Sequence, residues 1–235
     1  MKWTVTQEVT GMKQSKISKG KTNIIGITGG VGAGKSTILD YIQENYNARV
    51  IYSDQVANDI KKRGYPAYDE LVEILGKEVL DENLEIDKSR MAEAIFRDRS
   101  LLDKVNNVLH PAVNTFIISI IDKERAKREH DLVIVEAALL IENGYKDIVD
   151  ELWYVYADED TRRTRLKASR GYSDDKISNI FKGQLSEEEF RKNCDFVIDN
   201  SNSESEAFKQ IDNKLGEWKK DGKFRTAGSE GSIRT

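Results

Sequence analysis

The sequence predicts an α/β fold: a five-stranded parallel sheet flanked by helices and organised around a phosphate-binding loop, with a helical region inserted into it. Three observations carry this reading. The apolar run Asn23-Ile24-Ile25-Gly26-Ile27-Thr28 leads directly into Gly29-Gly30-Val31-Gly32-Ala33-Gly34-Lys35-Ser36-Thr37, the strand, glycine-rich loop and helix order of a P-loop. Four further apolar runs of strand length follow, most of them separated by helical patterns, which implies parallel strands joined by right-handed crossovers. Between Gln55 and His130 the strand pattern stops for a stretch too long to be a simple crossover.

Taken in order, the first strand is residues 23 to 28, and the helix after the loop starts near Ser36 and carries the apolar stripe Ile38, Leu39 and Ile42. Arg49-Val50-Ile51-Tyr52 is a second short strand ending in the polar pair Ser53-Asp54. The inserted region opens on the turn Gly64-Tyr65-Pro66 and shows helical spacing at Tyr68, Leu71, Val72 and Leu75, then at Met91, Ala94 and Ile95. Val113, Phe116, Ile117, Ile120 and Ile121 form one clean helical face. Leu109-His110-Pro111 reads as a break between helices, because proline lacks the N–H that a helix interior uses. Leu132-Val133-Ile134-Val135, ending in Glu136, is a strand buried on both faces. Leu152 to Tyr156 and Phe196 to Asp199 complete the five. Ser186 with Glu189 is a capping box opening a helix, and Phe208, Ile211, Leu215 and Trp218 stripe a closing helix.

Bulk properties narrow the function classes. The chain has 235 residues with a net charge of −4, which argues against general nucleic-acid binding. No apolar run approaches the roughly 18 residues of a membrane helix. One cysteine and two histidines make a structural zinc site unsuitable. Residues 1 to 21 carry five lysines against the single acid Glu8 and have no apolar segment of the secretory type, so they read as a disordered extension of a cytoplasmic protein. Residues 220 to 235 read as a flexible tail.

A phosphate loop binds the oxygens of a nucleotide through backbone N–H groups, a lysine and a magnesium-ligating hydroxyl, which here assigns Gly30, Gly32, Ala33, Gly34, Lys35, Ser36 and Thr37 to ATP, with Ser36 on Mg2+. The missing guanine-reading motif argues against a switch-type GTPase; the nearest match, Asn213-Lys214-Leu215-Gly216, lacks its aspartate. Arg162, Arg163, Arg165, Lys167 and Arg170 crowd residues 161 to 170 without an acid, just beyond a strand end, as a lid stabilising charge on a transferring phosphoryl group would. Asp54, at a strand's carboxyl end, has two readings that can both hold, shared between it and Ser53: cap of the next helix, or acceptor of the proton of an attacking hydroxyl. Glu136 suits a water-mediated contact with the magnesium. His110 is either a substrate contact or a residue at a helix break.

The ordered set of motifs resembles the dephospho-CoA kinase family over residues 23 to about 218. It comprises GITGGVGAGKST, Tyr52-Ser53-Asp54 with Gln55-Val56-Ala57, Gly64-Tyr65-Pro66-Ala67, Ala94-Ile95-Phe96, Leu109-His110-Pro111, Leu139-Leu140-Ile141-Glu142, Arg165 to Gly171, Gln184 and Phe196-Val197-Ile198-Asp199-Asn200. The resemblance implies a P-loop NTPase fold of the nucleotide-kinase type, in which ATP phosphorylates the ribose 3′-hydroxyl of dephospho-CoA in the last step of coenzyme A synthesis. It implies Asp54 as base, Lys35 and Ser36 on phosphate and magnesium, Arg165 and Arg170 in the lid, Asn200 on the nucleotide side and His110 in the acceptor domain. The implied organisation is a core of residues 22–60, 131–160 and 186–219, a helical acceptor domain of 61–130 and a lid of 161–185, acting as a monomer or weak homo-oligomer. The chain departs from the family pattern where Glu136-Ala137-Ala138-Leu139-Leu140 replaces Asp-x-Pro-Leu-Leu, and where Ser169-Arg170 replaces Arg-Asp.

Overall fold

The computed structural model describes residues 22–221; the expected extension of residues 1 to 21 and nearly all of the expected tail lie outside them. Five parallel strands form one sheet in the order β2-β3-β1-β4-β5: β1 (Asn23–Thr28), β2 (Ala48–Tyr52), β3 (Leu132–Glu136), β4 (Glu151–Tyr156) and β5 (Phe196–Asp199). The two central strands are buried throughout nearly their whole length, and alternate residues feed opposite layers. Ile24, Val133 and Val135 face one core with Leu71, Ile117 and Ile121 of the helical region. Ile25, Ile27, Leu132 and Ile134 face the other, against Ile38, Leu39 and Ile42 of α1 (Lys35–Asn45) and Ile211, Leu215 and Trp218 of the closing helix.

The helical region holds α2 (Ser53–Asp59), α3 (Tyr68–Leu75), α4 (Lys88–Arg97) and α5 (Ser100–Lys127). Among the described residues of that region the only β pairing is a single bridge between Leu80 and Ile86. Two expectations are corrected here. Leu109-His110-Pro111 breaks nothing: α5 runs unbroken for 28 residues with Pro111 inside it. Pro111 and Asn107, whose carbonyl loses its helical donor, both face solvent, so water can satisfy the freed oxygen. Nor does Ser53 or Asp54 cap α2; Tyr52 occupies the N-cap position without a side-chain bond, and Asp54 lies inside the first turn.

The long helix is fastened to the sheet by charge. Glu124 of α5 is 1% exposed, and its carboxylate accepts from the Arg49 guanidinium of β2 and, at 2.8 Å, pairs with the His130 ring. A carboxylate buried this deeply needs both partners to offset its desolvation. Beyond β4 come α6 (Glu159–Arg170), α7 (Asp174–Lys182), α8 (Glu187–Asn193) and, after β5, α9 (Glu204–Lys220). The Ser186/Glu189 capping box opens α8 as the sequence predicts.

Candidate active site

Parallel strands direct their carboxyl ends to one side, where open α/β sheets bind ligands. β1 delivers the phosphate loop there. Gly32 and Gly34 adopt left-handed backbone angles, with φ of 84° and 88°, which a side chain would strain. Lack of side chains also admits the neighbouring elements. A methyl group on Gly30 would lie 2.5 Å from the Arg162 guanidinium, and one on Gly34 would collide with the Asn200 amide. The helix after the loop begins at Lys35, beside Ser36 where the sequence puts it, so the positive end of its dipole points into the loop.

β3 pairs Glu136 with Ile27 of β1 on one side and with Tyr52 of β2 on the other. That register sets Glu136 between the strand leading to the phosphate loop and the strand leading to Asp54. Lys35, largely buried with its Nζ donating to the Gly29 carbonyl at 2.7 Å, has its pKa lowered by desolvation, opposed by Glu136 and Asp54 and reinforced by Arg162 and Arg170. Burial pushes Glu136 up; Lys35 opposes that rise and Asp54 adds to it. These mutual effects show that Lys35, Glu136 and Asp54 form one charged cluster, with Arg162 and Arg170 acting on its lysine.

The basic run is one helix because it is well capped: the Asp158 side chain accepts from Thr161 N–H, Glu159 and Asp160 occupy the first turn, and left-handed Gly171 ends it. Its arginines do different things. Arg162 donates from Nε to the Val31 carbonyl at 2.9 Å and from a terminal nitrogen to the Gln184 Oε1 at 2.6 Å, while its guanidinium lies 4.0 Å from the Phe181 ring centroid. The same Gln184 oxygen accepts from Val31 N–H at 3.3 Å. Arg165 donates to the Ala33 and Asn200 carbonyls at 3.3 and 2.9 Å. Asn200 is 2% exposed; its amide nitrogen donates to the Ala33 carbonyl at 2.8 Å, and its side-chain oxygen has no partner among the described residues. Arg163 instead pairs with Glu159, facing away from the loop. Sequence reasoning missed Arg162 as the closest arginine to the loop. The signal was its i, i+4, i+8 spacing with Leu166 and Arg170, since Leu166 is buried and its side chain would touch a methyl group placed on Gly32.

On the other side of the cluster lies a cleft of about 210 Å³, bounded by Ser53 and Asp54 of α2, by Asn106, His110 and Asn114 of α5, and by Ala137 to Leu139 after β3. Asp54 and His110, far apart in sequence, thus meet across one cavity. Ala137 and Ala138, the residues of the altered exit loop, line it too.

A family model described as dephospho-CoA kinase matches residues 23–206. The chain belongs to the dephospho-CoA kinase family. Dephospho-CoA kinases of Carboxydothermus hydrogenoformans and Aquifex aeolicus are each 36% identical to it, covering 83% and 80% of this chain and 94% and 93% of their own. A solved Thermus thermophilus structure superposes with a TM-score of 0.67 at 27% identity, covering 84% of this chain and 98% of that one. The Campylobacter jejuni dephospho-CoA kinase shares the fold, with a TM-score of 0.65 at 20% identity over 85% of this chain and 98% of its own. Membership makes the chain a kinase of coenzyme A synthesis that uses ATP.

Proposed function

We propose that the chain transfers the γ-phosphoryl group of ATP to the ribose 3′-hydroxyl of dephospho-CoA, giving coenzyme A and ADP, with Asp54 as the base. The observation that carries the residue roles is the placement of Asp54 on the wall of the acceptor cleft and within electrostatic reach of both Lys35 and Glu136. The carboxylate of Asp54 takes the hydroxyl proton as the oxygen attacks γ-phosphorus; the new O–P bond forms as the bond to the β–γ bridging oxygen breaks, and ADP leaves. Loop N–H groups of residues 30 to 37 and the Lys35 ammonium hold the β and γ oxygens, with the arginines of α6 beside them. Asn200, whose buried side-chain oxygen has no partner among the described residues, and Arg165 flank the loop on the nucleotide side.

The donors facing the loop suit magnesium, since Ser36 offers a hydroxyl and Glu136 a carboxylate, both hard oxygen ligands. Bound with ATP, magnesium would neutralise charge on the β and γ oxygens, with Ser36 as direct ligand and Glu136 reaching it through water. Residues 61–130 serve in this reading as the acceptor domain, with His110 touching the acceptor, and residues 161–185 as a lid that excludes water on closing. The net charge of −4 fits a protein with no nucleic-acid partner, and no described helix is long and apolar enough to cross a membrane. A cytoplasmic monomer or weak homo-oligomer is the simplest working form.

ADP release from magnesium and ATP should be measured with dephospho-CoA, adenosine, uridine, AMP and UMP offered separately. The expected result is efficient turnover with dephospho-CoA and a product bearing a new 3′-phosphate. Preference for a nucleoside or nucleoside monophosphate would reassign the chain's acceptor, and ATP binding without any acceptor-dependent turnover would make it a regulatory module.

A further inference from the structure

A second cleft, of about 450 Å³, opens farther along α2 and is lined by Asn58, Lys61, Glu85, Lys88 and Met91 among others. Both clefts take part of their wall from α2, Asn58 here and Ser53, Asp54 and Ala57 in the acceptor cleft. Ile60 retains helical angles after α2 and donates to the Val56 carbonyl, so Asp54, Asn58 and Lys61 follow one another on a single face at i, i+4 and i+7, over about 10 Å of axis. Lys61 and Asp54 feel each other electrostatically, as do Lys61 and Lys88.

Of the three lysines that line this cleft, Lys61, Lys62 and Lys88, two are not consumed by acids among the described residues. Among the described residues neither Lys61 nor Lys88 has a carboxylate in ion-pair range, whereas the neighbouring Lys62 pairs with Asp59 at 2.5 Å. Lys61 donates only to the neutral Asn58 amide oxygen, at 3.1 Å. Glu85, the acid of the lining, accepts from the Arg63 backbone N–H at 3.0 Å. Burial of Lys61, together with repulsion from the exposed Lys88, pulls Lys61 below the ordinary lysine range. An anion placed between them relieves that cost.

We propose that Lys61 and Lys88 form the subsite for the 5′-diphosphate of the acceptor, so that the ribose reaches Asp54 only when the diphosphate is held farther along α2. This rests on the reading of dephospho-CoA as acceptor. Its 3′-hydroxyl and 5′-diphosphate lie on opposite sides of one ribose, a separation that the spacing of Asp54 and Lys61 accommodates. Met91 and Ile86 supply an apolar wall where the uncharged arm beyond the diphosphate begins. The two lysines would then set specificity, distinguishing a diphosphate-bearing acceptor from a bare nucleoside.

The test is steady-state kinetics of wild type, Lys61→Ala, Lys88→Ala, the double variant and the conservative Lys61→Arg/Lys88→Arg, with dephospho-CoA and with adenosine as acceptors. The expected result is a rise in KM for dephospho-CoA of about tenfold in each single alanine variant and more in the double. The KM for ATP, kcat at saturation and the low kcat/KM for adenosine should stay put, and the arginine variant should recover most of the dephospho-CoA KM. An unchanged KM for dephospho-CoA in the double alanine variant overturns the subsite, as does an equal loss with adenosine. A wild-type protein inactive on dephospho-CoA would instead overturn the acceptor assignment itself, which separates the two failures.

Discussion

The two halves of the candidate site are built in opposite ways. On the nucleotide side the donors and acceptors are tied to one another: Arg162 to Val31 and Gln184, Gln184 to Val31, Arg165 to Ala33 and Asn200, Asn200 to Ala33, Lys35 to Gly29. On the acceptor side Asp54 and His110 are exposed and face a cavity. The first half is pre-organised, so its interactions need little rearrangement when charge develops. The second is open, and acquires its geometry when the acceptor fills it. A polyphosphate is the same in every ATP-using enzyme and can be met by a fixed cradle, whereas in the proposed reading the acceptor is admitted and released through the cleft lined by Asp54 and His110.

Substitutions should divide along that line, and the largest effect should fall on the cradle. Lys35→Ala is expected to lower kcat by roughly 100-fold or more with the fold intact, because it removes a cation from the developing charge. The same residue gives the pH dependence a sign. With its pKa lowered by burial, Lys35 loses its proton as pH rises through a value below the ordinary 10.5, so kcat/KM for ATP should decline on the alkaline side earlier than an exposed lysine would cause. A decline only at the ordinary lysine value would place Lys35 in water and weaken the picture of a buried cradle.

Arg162→Ala should come next, lowering kcat/KM for ATP by about 10- to 100-fold while leaving KM for dephospho-CoA within a factor of a few. Arg163→Ala, whose guanidinium pairs with Glu159 away from the loop, should leave both constants near wild type. Equal effects of the two would mean that the helix acts by net charge and that the contacts of Arg162 are incidental. The smallest effect belongs to the open side: His110→Ala should raise KM for dephospho-CoA by a few-fold, a single hydrogen bond being worth about 1 kcal/mol, with ATP constants unchanged. A rise in KM for ATP instead would break the division.

The same contrast explains what could be read from the sequence. The cradle is nearly contiguous: residues 29 to 37 are one segment, and its glycines, lysine and serine are specified by the local chemistry of an anion-binding loop. The five strands were legible for a similar reason, since continuous apolar runs such as Leu132 to Val135 have few alternatives in a chain of this composition. The acceptor cleft was not legible from spacing. Asp54, His110 and Ala137 reach one cavity only through tertiary packing, and local reasoning sent His110 to a helix break that α5 does not contain. Local rules also gave Asp54 or Ser53 a capping role that neither takes. Arg162 was hidden in another way. A run of five cations within residues 161 to 170 does not say which one meets the loop, and that choice depends on the angle at which α6 crosses it, fixed by buried Leu166.

The most direct test of the account is a paired measurement on Asp54→Asn: kcat with saturating dephospho-CoA, and equilibrium affinity for ATP. Asparagine keeps the size and polarity of the side chain and removes its capacity to take a proton. A loss of roughly 100-fold or more in kcat with ATP affinity unchanged is the predicted result, placing Asp54 on the acceptor side as the base. Near-normal kcat would contradict it, and would leave the 3′-hydroxyl proton to another group in the cleft.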